Sequence, residues 1–198
     1  MQDTPTRRPN RERSDESQAK LIAAARTLFV EKGYAATGTP EIVAEARLTR
    51  GALYHHFADK QALFRAVVER EAAAVAAEIE DNTATSASAF LALIDGGKAF
   101  LNAMAERGRA RLLLLEGPAI LGRKTMDEID MHHGGRTLFE GLKEAMDEKD
   151  VIAMPAEPLA ALLSAAFDRA ALAIAEGEDP KPYHEVLEAL LTRLRPET

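Results

Sequence analysis

Three observations predict an all-α fold. Apolar residues recur at the i, i+3, i+4 and i+7 spacing of helices along most of the chain, and we expect about nine helices. No stretch shows the alternation of apolar and polar residues that is typical of a strand. Gly and Pro separate the helical patterns. With 198 residues and 46% hydrophobic content, the chain can bury a core, which argues against global disorder.

The net charge of −7 is unevenly distributed. Residues 1–60 carry 10 Lys and Arg against 8 Asp and Glu, a net charge of +2, whereas residues 61–198 carry 15 against 24, a net charge of −9. The first third can therefore approach phosphates, and the acidic remainder is repelled by them. The sequence contains no Cys, which excludes disulfides and Cys-based zinc sites and fits a reducing compartment.

The sequence also predicts a location. The N-terminal residues lack the apolar run of a secretory signal, and the uninterrupted apolar runs, residues 112–115 among them, are all far shorter than the roughly 20 residues needed to cross a membrane. We expect a soluble, cytoplasmic protein without a membrane partner.

The first elements follow from local signals. Residues 1–14 are polar and contain two prolines, which predicts a flexible basic arm. Its four arginines either contact DNA phosphates or the minor groove, or belong to a solvated tail: Arg7, Arg8, Arg11 and Arg13. A helix is predicted from about Asp15 to Lys32, with Ile22, Ala25 and Phe29 on one apolar face beside Leu21 and Leu28. Gly33 is a stop signal for this helix.

Residues 37–60, TGTPEIVAEARLTRGALYHHFADK, contain two short helical patterns joined by a tight turn. We expect Thr39 to cap a helix that has Pro40 at its first position, and Thr49 and Asp59 to cap the next two helices. The second short helix is basic and opens with Gly51. This is the pattern of a helix-turn-helix, whose second helix enters the DNA major groove, so residues 15–60 are predicted to bind DNA.

The remaining residues, 61–198, form a second predicted domain. The segment NTATSASA after Asp81 reads as a loop, and Gly or Pro interrupts the Ala- and Leu-rich patterns that follow. The predicted helices span residues 86–106, 109–121, 124–148, 156–176 and 181–194.

Residues 18–68 resemble the DNA-binding domain of the TetR (tetracycline-repressor-like) family of bacterial regulators. The resemblance rests on AAARTLFVEKGYAAT, then EIVAEARLT, then RGALYHHFADKQALF, in that order. RLLLLEGPAILG and MHHGGRTLFEGLKEAM in the second domain look more loosely like one TetR subgroup. The resemblance implies an all-helical dimer that binds operator DNA and releases it when a small ligand enters the C-terminal domain.

Two positions depart from the family pattern. Arg47 stands in the turn where the family usually has Gly, because the chain there tends toward a left-handed conformation that costs a non-Gly residue roughly 1 kcal/mol. Val43 stands where the family usually has Ala. Arg47 either supplies an extra phosphate contact or is a strained but harmless substitution.

The resemblance assigns DNA contacts residue by residue. Thr37, Thr39, Tyr54 and Lys60 are expected mainly at phosphates, which position the protein on the duplex. The N-terminal end of the third helix faces base edges, so Thr49, Arg50, Gly51 and His55 are the expected readers. Arg50 can bind the O6 and N7 atoms of a guanine, and Gly51 lets the backbone approach the DNA.

A sensor domain needs a pocket, and a helical bundle forms one between its helices. Candidate lining residues interrupt or extend the apolar stripes: Phe100, Met104, Arg111, Leu115, Glu116, Met131, His132, Phe139 and Phe167. Each of them is also explained by ordinary packing. Because few ionisable groups are expected to be buried, the sequence favours an apolar or aromatic effector.

The helices predicted at about 156–176 and 181–194 form the expected dimer interface. The first of them is apolar over more than one face and must be covered on several sides, either by a partner or within a monomer. Two reading heads fit DNA half-sites at a fixed spacing.

The rival interpretations are a helical enzyme, a constitutive DNA-binding protein and an activator. No GxSxG, HExxH or phosphate-loop pattern is present, so we expect no enzyme and no cofactor. Adjacent His55 and His56 point about 100° apart on a helix and cannot share an ion well, so no metal is expected. The large acidic domain argues against a constitutive binder, whereas the sequence does not separate repressor from activator.

Overall fold

The computed structural model describes residues 10–196 and confirms the all-α prediction. Within that range it contains ten α-helices, one π-helical segment and no strand. The helices are α1 (Asn10–Lys32), α2 (Thr39–Glu45), α3 (Arg50–His56), α4 (Lys60–Thr83), α5 (Ala89–Met104), the π segment (Arg111–Glu116), α6 (Gly117–Leu121), α7 (Arg123–His132), α8 (Gly134–Asp147), α9 (Ala156–Ala175) and α10 (Pro180–Thr192).

The chain divides into two compact units, Met1–Val67 and Val68–Thr198. We call the first unit the head and the second unit the body. The helix-turn-helix lies in the head, and most of the residues that enclose a large cavity lie on body helices. The domain boundary predicted at residue 60 separates the DNA-binding segment from the second domain by function, and it stays a prediction.

The head is built on an aromatic and aliphatic core. Leu21, Ala25 and Phe29 are fully buried on α1, as the predicted apolar face requires, whereas Ile22 lies at its edge and is only half-buried. Phe29 packs edge-on against Phe64 of α4, with ring centroids 5.3 Å apart. The short helices α2 and α3 both contact α1, which gives them a fixed support.

The start of α1 corrects the predicted arm. The helix begins at Asn10, five residues before the expected start, so Arg11 and Arg13 belong to α1. A helical i, i+4 ion pair between Lys20 and Glu16, 2.8 Å long, and a hydrogen bond from Ser17 Oγ to the Arg13 carbonyl support these turns. Arg7 and Arg8 lie outside the described residues.

The caps of the next three helices were largely predictable. The Thr49 hydroxyl accepts a hydrogen bond from the Ala52 N–H, and the Asp59 carboxylate accepts one from the Ala62 N–H, which confirms both caps. The cap of α2 is Gly38 and not Thr39. The Glu41 carboxylate accepts the Gly38 N–H at 3.1 Å, and this bond fixes the helix start one residue earlier.

The body is a bundle in which α5, α8 and α9 pack against one another and α10 packs against α5 and α9. Two details differ from the prediction. The helix expected over residues 124–148 breaks at His133 into α7 and α8, and residues 111–116 form a π segment that leads directly into α6. Helix α9 is long and apolar enough to cross a membrane by length and composition alone, yet its buried face packs within the bundle.

Candidate nucleic-acid interface and ligand cavity

The turn between α2 and α3 adopts the conformation expected of a helix-turn-helix. Arg47 has φ 53°, in the left-handed region, as predicted for the position. The Leu48 N–H reaches back to the Val43 carbonyl at 2.9 Å and closes the turn. Ile42 and Leu53, one on each short helix, are fully buried, so the two helices are held by a shared apolar contact on the side away from solvent.

The outer face of α3 carries the predicted readers. Arg50, Gly51, Tyr54 and His55 are exposed, whereas Leu53 and Phe57 belong to the core. The Arg50 guanidinium lies over the Tyr54 ring, 5.4 Å from its centroid, so the two side chains form one polar and aromatic surface. A bidentate donor and a phenol are thereby brought together on the face that solvent reaches.

Tyr54 is further oriented by α2. A side-chain hydrogen bond with Thr39, and then the neighbouring Arg50, hold the pKa of Tyr54 below its ordinary value. These contacts tie a residue of α3 to the first residue of α2. Thr39, Arg50 and Tyr54 therefore form one connected group, as the assignment of all three to DNA contacts requires.

Glycine at position 51 is not required by the protein itself. A Cβ atom added there would meet only the Thr49 hydroxyl, at 3.8 Å, which is an ordinary contact. Glycine in a helix is unfavourable relative to alanine by about 1 kcal/mol. Packing within the head therefore does not explain the glycine, and its predicted role in a close approach of DNA stays a prediction.

Two of the predicted phosphate contacts have structural roles in the head. Thr37 is buried, and its hydroxyl donates to the carbonyls of Gly33 at 2.8 Å and Leu28 at 3.2 Å. The Lys60 ammonium donates to the carbonyls of Tyr34 at 2.9 Å and Thr37 at 3.0 Å. Thr37 supports the loop from inside instead of offering its hydroxyl to a phosphate, while an ammonium has a third donor beyond these two bonds.

The contact between Lys60 and Tyr34 was missed by sequence reasoning. The ammonium lies 4.1 Å from the centre of the Tyr34 ring, and that ring packs against Phe29 and Phe64. The sequence feature that could have indicated this contact is Gly33-Tyr34, a glycine that ends α1 followed by a large aromatic residue in the loop. A ring of this size usually packs against neighbouring elements. Lys60 thus fastens the loop after α1 to the start of α4.

The body contains a cavity of about 570 Å³, a size suited to a small organic ligand. Its wall is mainly apolar and includes four of the nine predicted residues, Phe100, Met104, Met131 and Phe139. Residues that the sequence did not single out complete it, among them Leu113, Met126, Ile129, Leu138, Ser164 and Leu172.

The other five predicted residues do not line this cavity. Arg111 pairs with Glu116 at 2.5 Å, and Leu115 points to solvent with 50% of its surface exposed. The His132 ring contacts the Glu128 carbonyl within its own helix, 2.6 Å away. Phe167 packs edge-on against Phe100, at a centroid distance of 5.9 Å, and so stands behind the cavity wall.

Two carboxylates lie close together on the cavity wall: Asp130, which is exposed, and Asp168, which is half-buried. Burial, and then the nearby charge of Asp130, raise the pKa of Asp168 from 3.8 to about 7, against an opposing effect of Arg123. Burial also raises the pKa of Asp130, while a hydrogen bond from the Gly135 backbone acts in the opposite direction. Asp130 keeps accessible surface because the cavity it lines is open to solvent at its mouth.

Arg109 is a second buried charge that the sequence did not reveal. Its guanidinium donates to Glu71 at 3.0 Å, to Glu78 at 2.9 Å and to the Ala103 carbonyl at 2.6 Å. Glu71 and Glu78 belong to α4, and Arg109 lies just before the π segment. This buried cluster fastens the body part of α4 to the chain that leads into the cavity wall.

Comparison with known proteins identifies both units. Residues 21–67 match the family model for bacterial regulatory proteins of the tetR family, and residues 90–195 match the model for the tetracyclin repressor-like C-terminal domain. The second match alone covers more than half of the chain. The chain belongs to the TetR family. Proteins of this family are DNA-binding regulators and not enzymes.

TetR relatives share the whole architecture. A TetR-family regulator from Pectobacterium atrosepticum is 32% identical, with a TM-score of 0.73 over 94% of this chain and 95% of that one. RolR, solved with resorcinol, shares the fold at 17% identity, with a TM-score of 0.71 over 94% and 90% of the chains. The A-factor receptor protein of Streptomyces griseus is 32% identical over 50% of this chain, but the match spans only 34% of that receptor.

Proposed function

We propose that this TetR-family transcriptional regulator is a repressor that binds a palindromic operator as a homodimer and releases it when a small molecule occupies the body. The observation that carries the DNA part is the exposed α3 face, where Arg50, Gly51, Tyr54 and His55 surround the start of a rigidly supported helix. Base edges are read by Arg50, Thr49 and His55. Thr39, Arg47, Tyr54 and Lys60 hold phosphates, which fixes the register on the duplex.

The dimer forms through α9 and α10. Each helix leaves large apolar side chains in water: Leu162 is 72% exposed, Val186 is 58% exposed and Leu190 is 48% exposed. Contiguous apolar surface of this kind on a soluble protein marks a contact with another molecule. A second copy of the same two helices covers it with two-fold symmetry, which is also the symmetry of a palindromic operator.

The effector enters the cavity of the body and has an apolar or aromatic part. The mainly apolar wall around Phe100, Met104 and Phe139 supports this ligand class. RolR binds the small aromatic molecule resorcinol. Helix α4 supplies Phe64 to the core of the head and Ala72 and Val75 to the cavity wall, so it is the element through which occupancy shifts the population of DNA-competent conformers.

Sedimentation and DNA titration test this proposal together. The wild-type chain should sediment as a dimer, and the double variant Leu162→Glu, Leu190→Glu should be monomeric, because buried carboxylates oppose association. The monomer should lose most of its affinity for a two-half-site duplex while keeping its helical content by circular dichroism. A wild-type chain that binds its operator as a monomer, or a footprint that no cavity ligand changes, contradicts the dimer or the ligand control respectively.

A further inference from the structure

The charge of the cavity wall indicates the charge of its ligand. Four acidic residues line the cavity, Asp127, Asp130, Glu157 and Asp168, against one base, Arg123. Arg123 does not neutralise the interior, because its side chain is 89% exposed and meets Asp127 at 3.9 Å at the surface. Of the four acidic residues, Asp168 is half-buried, whereas Asp127, Asp130 and Glu157 are exposed.

Asp130 has a structural role. Its carboxylate accepts a hydrogen bond from the Gly135 backbone, at the first turn of α8, where the helix dipole favours negative charge. A Cβ atom at position 135 would collide with that carboxylate, so glycine is needed for the approach. Asp130 thus holds the break between α7 and α8 and places a second carboxyl group beside Asp168.

Asp168 has no comparable support. Among the residues that the structure describes, none donates a hydrogen bond to its carboxylate. A half-buried acid next to a second carboxyl group in a mostly apolar wall destabilises the protein when it ionises. Such a group persists where another molecule compensates for it.

We propose that the cavity takes an organic monocation, an amine or quaternary ammonium with an apolar or aromatic body, and that Asp168 is its counter-ion. This inference rests on the proposed control by a ligand and specifies the class of that ligand. The aromatic ring of Phe100 on the same wall adds an attraction for a cation. An anionic effector would instead meet two carboxylates.

The binding reaction balances in charge and protons. When Asp168 is protonated before binding, the O–H bond breaks, the proton goes to the solvent and the carboxylate pairs with the cation. The other charged groups on the wall are Asp127, Asp130 and Arg123 on α7 and Glu157 on α9, and the nearby His133 lies between α7 and α8. The lining residues from α4, α5, the π segment and α8 are uncharged.

Isothermal titration calorimetry with a matched pair of probes tests the charge preference. Benzyltrimethylammonium and its neutral carbon isostere neopentylbenzene have the same shape and differ in charge. The wild-type chain should bind the cation at least about tenfold more tightly, as expected for a charge-assisted contact. Asp168→Asn should abolish that preference. The control Asp127→Asn, which removes a carboxylate that is 67% exposed, should keep it.

Proton release provides a second reading. Titrations at pH 6 in two buffers of different ionisation enthalpy should show release of close to one proton per cation, falling toward none at pH 8.5. Asp168→Asn should show no release at either pH. Equal affinity for the two probes, a preference that survives Asp168→Asn, or no binding of the cation overturns the proposal.

Operator binding is measured separately by fluorescence anisotropy, without any probe. Loss of DNA binding in the wild-type chain contradicts the proposed function but leaves the cation preference intact. Normal DNA binding with no preference for the cation contradicts only the ligand class. The two failures are therefore distinguishable.

Discussion

The head and the body use charged side chains in opposite ways. In the head, Arg47 and Arg50 lie outside a core that is complete without them. In the body, Arg109 is buried in a satisfied cluster, and Asp168 is half-buried without a hydrogen-bond donor among the described residues. The difference teaches that substitutions of the DNA-reading side chains can leave the fold of the head undisturbed. In the body, a charged group that is proposed to bind the ligand lowers the stability of the free protein.

Removal of Arg109 should have the largest effect. Arg109→Ala removes the buried ion pair with Glu71, which should reduce the free energy of unfolding by about 3–5 kcal/mol. Urea denaturation followed by circular dichroism measures the loss. Arg111→Ala is the matched control, because its exposed pair with Glu116 should contribute less than about 1 kcal/mol. Similar losses in the two variants would show that burial of Arg109 does not set its contribution.

Asp168→Asn should stabilise the body, and the gain should depend on pH. The pKa of about 7 in the folded protein lies above the ordinary value of 3.8, so the folded state binds more protons than the unfolded state between these pH values. The wild-type protein therefore loses stability as pH rises from about 4 to about 7. Asparagine removes this loss and should add about 1–3 kcal/mol at pH 8.

The comparison at pH 4 serves as the control for Asp168→Asn. There the aspartate is largely protonated in the folded state, so the gain should nearly vanish. Thermal denaturation at the two pH values measures both. A gain of equal size at pH 4 and pH 8 would assign the effect to packing instead of charge.

Arg50→Ala should relax sequence preference by about 1–3 kcal/mol at one base position, while Arg47→Ala should weaken all duplexes alike and reduce the salt slope by about 1. Anisotropy titrations of operator and random duplexes across a salt series separate the two patterns. Neither variant should change the free energy of unfolding by more than about 1 kcal/mol. Alanine at position 47 keeps the backbone strain that Arg47 already has in its left-handed conformation. Equal losses on both duplexes for Arg50→Ala would remove this residue from the readers.

Gly51→Ala should have the smallest effect: it should slightly raise the stability of the protein and lower its affinity for DNA. The added methyl group finds open space in the free protein, and alanine favours the helix by about 1 kcal/mol. On DNA the same methyl group occupies the place of the close backbone approach. The expected result is a higher melting temperature with weaker operator affinity, and unchanged affinity would show that the α3 backbone stays clear of the duplex.

Features set by interactions between residues close in sequence could be predicted, whereas features set by distant residues could not. Thr49 and Asp59 act within three residues of themselves, so the starts of α3 and α4 could be predicted. The start of α2 shifted by one residue because the Gly38–Glu41 bond replaced a Thr cap. The left-handed conformation of Arg47 followed from the family pattern, since the glycine usually found there reports a backbone angle.

The cavity was harder to predict because its chemistry depends on distant residues. Asp168 resembles an ordinary surface acid in an Ala-rich helix, and its partial burial, and then the approach of Asp130 from α7, make its pKa unusual. The Gly134-Gly135 pair marked the break between α7 and α8, but the predicted helix ran through it. Four of the predicted residues do line the cavity, because apolar side chains of a helical bundle pack either in the core or on a cavity wall: Phe100, Met104, Met131 and Phe139.

The most direct test of the account is selection of duplexes from a random pool by the full-length chain, followed by sequencing. The account predicts enrichment of a two-fold symmetric sequence that two chains occupy, and loss of that enrichment at one base pair of each half-site with Arg50→Ala. A pool that remains random, or enrichment of a single asymmetric site bound by one chain, would contradict it.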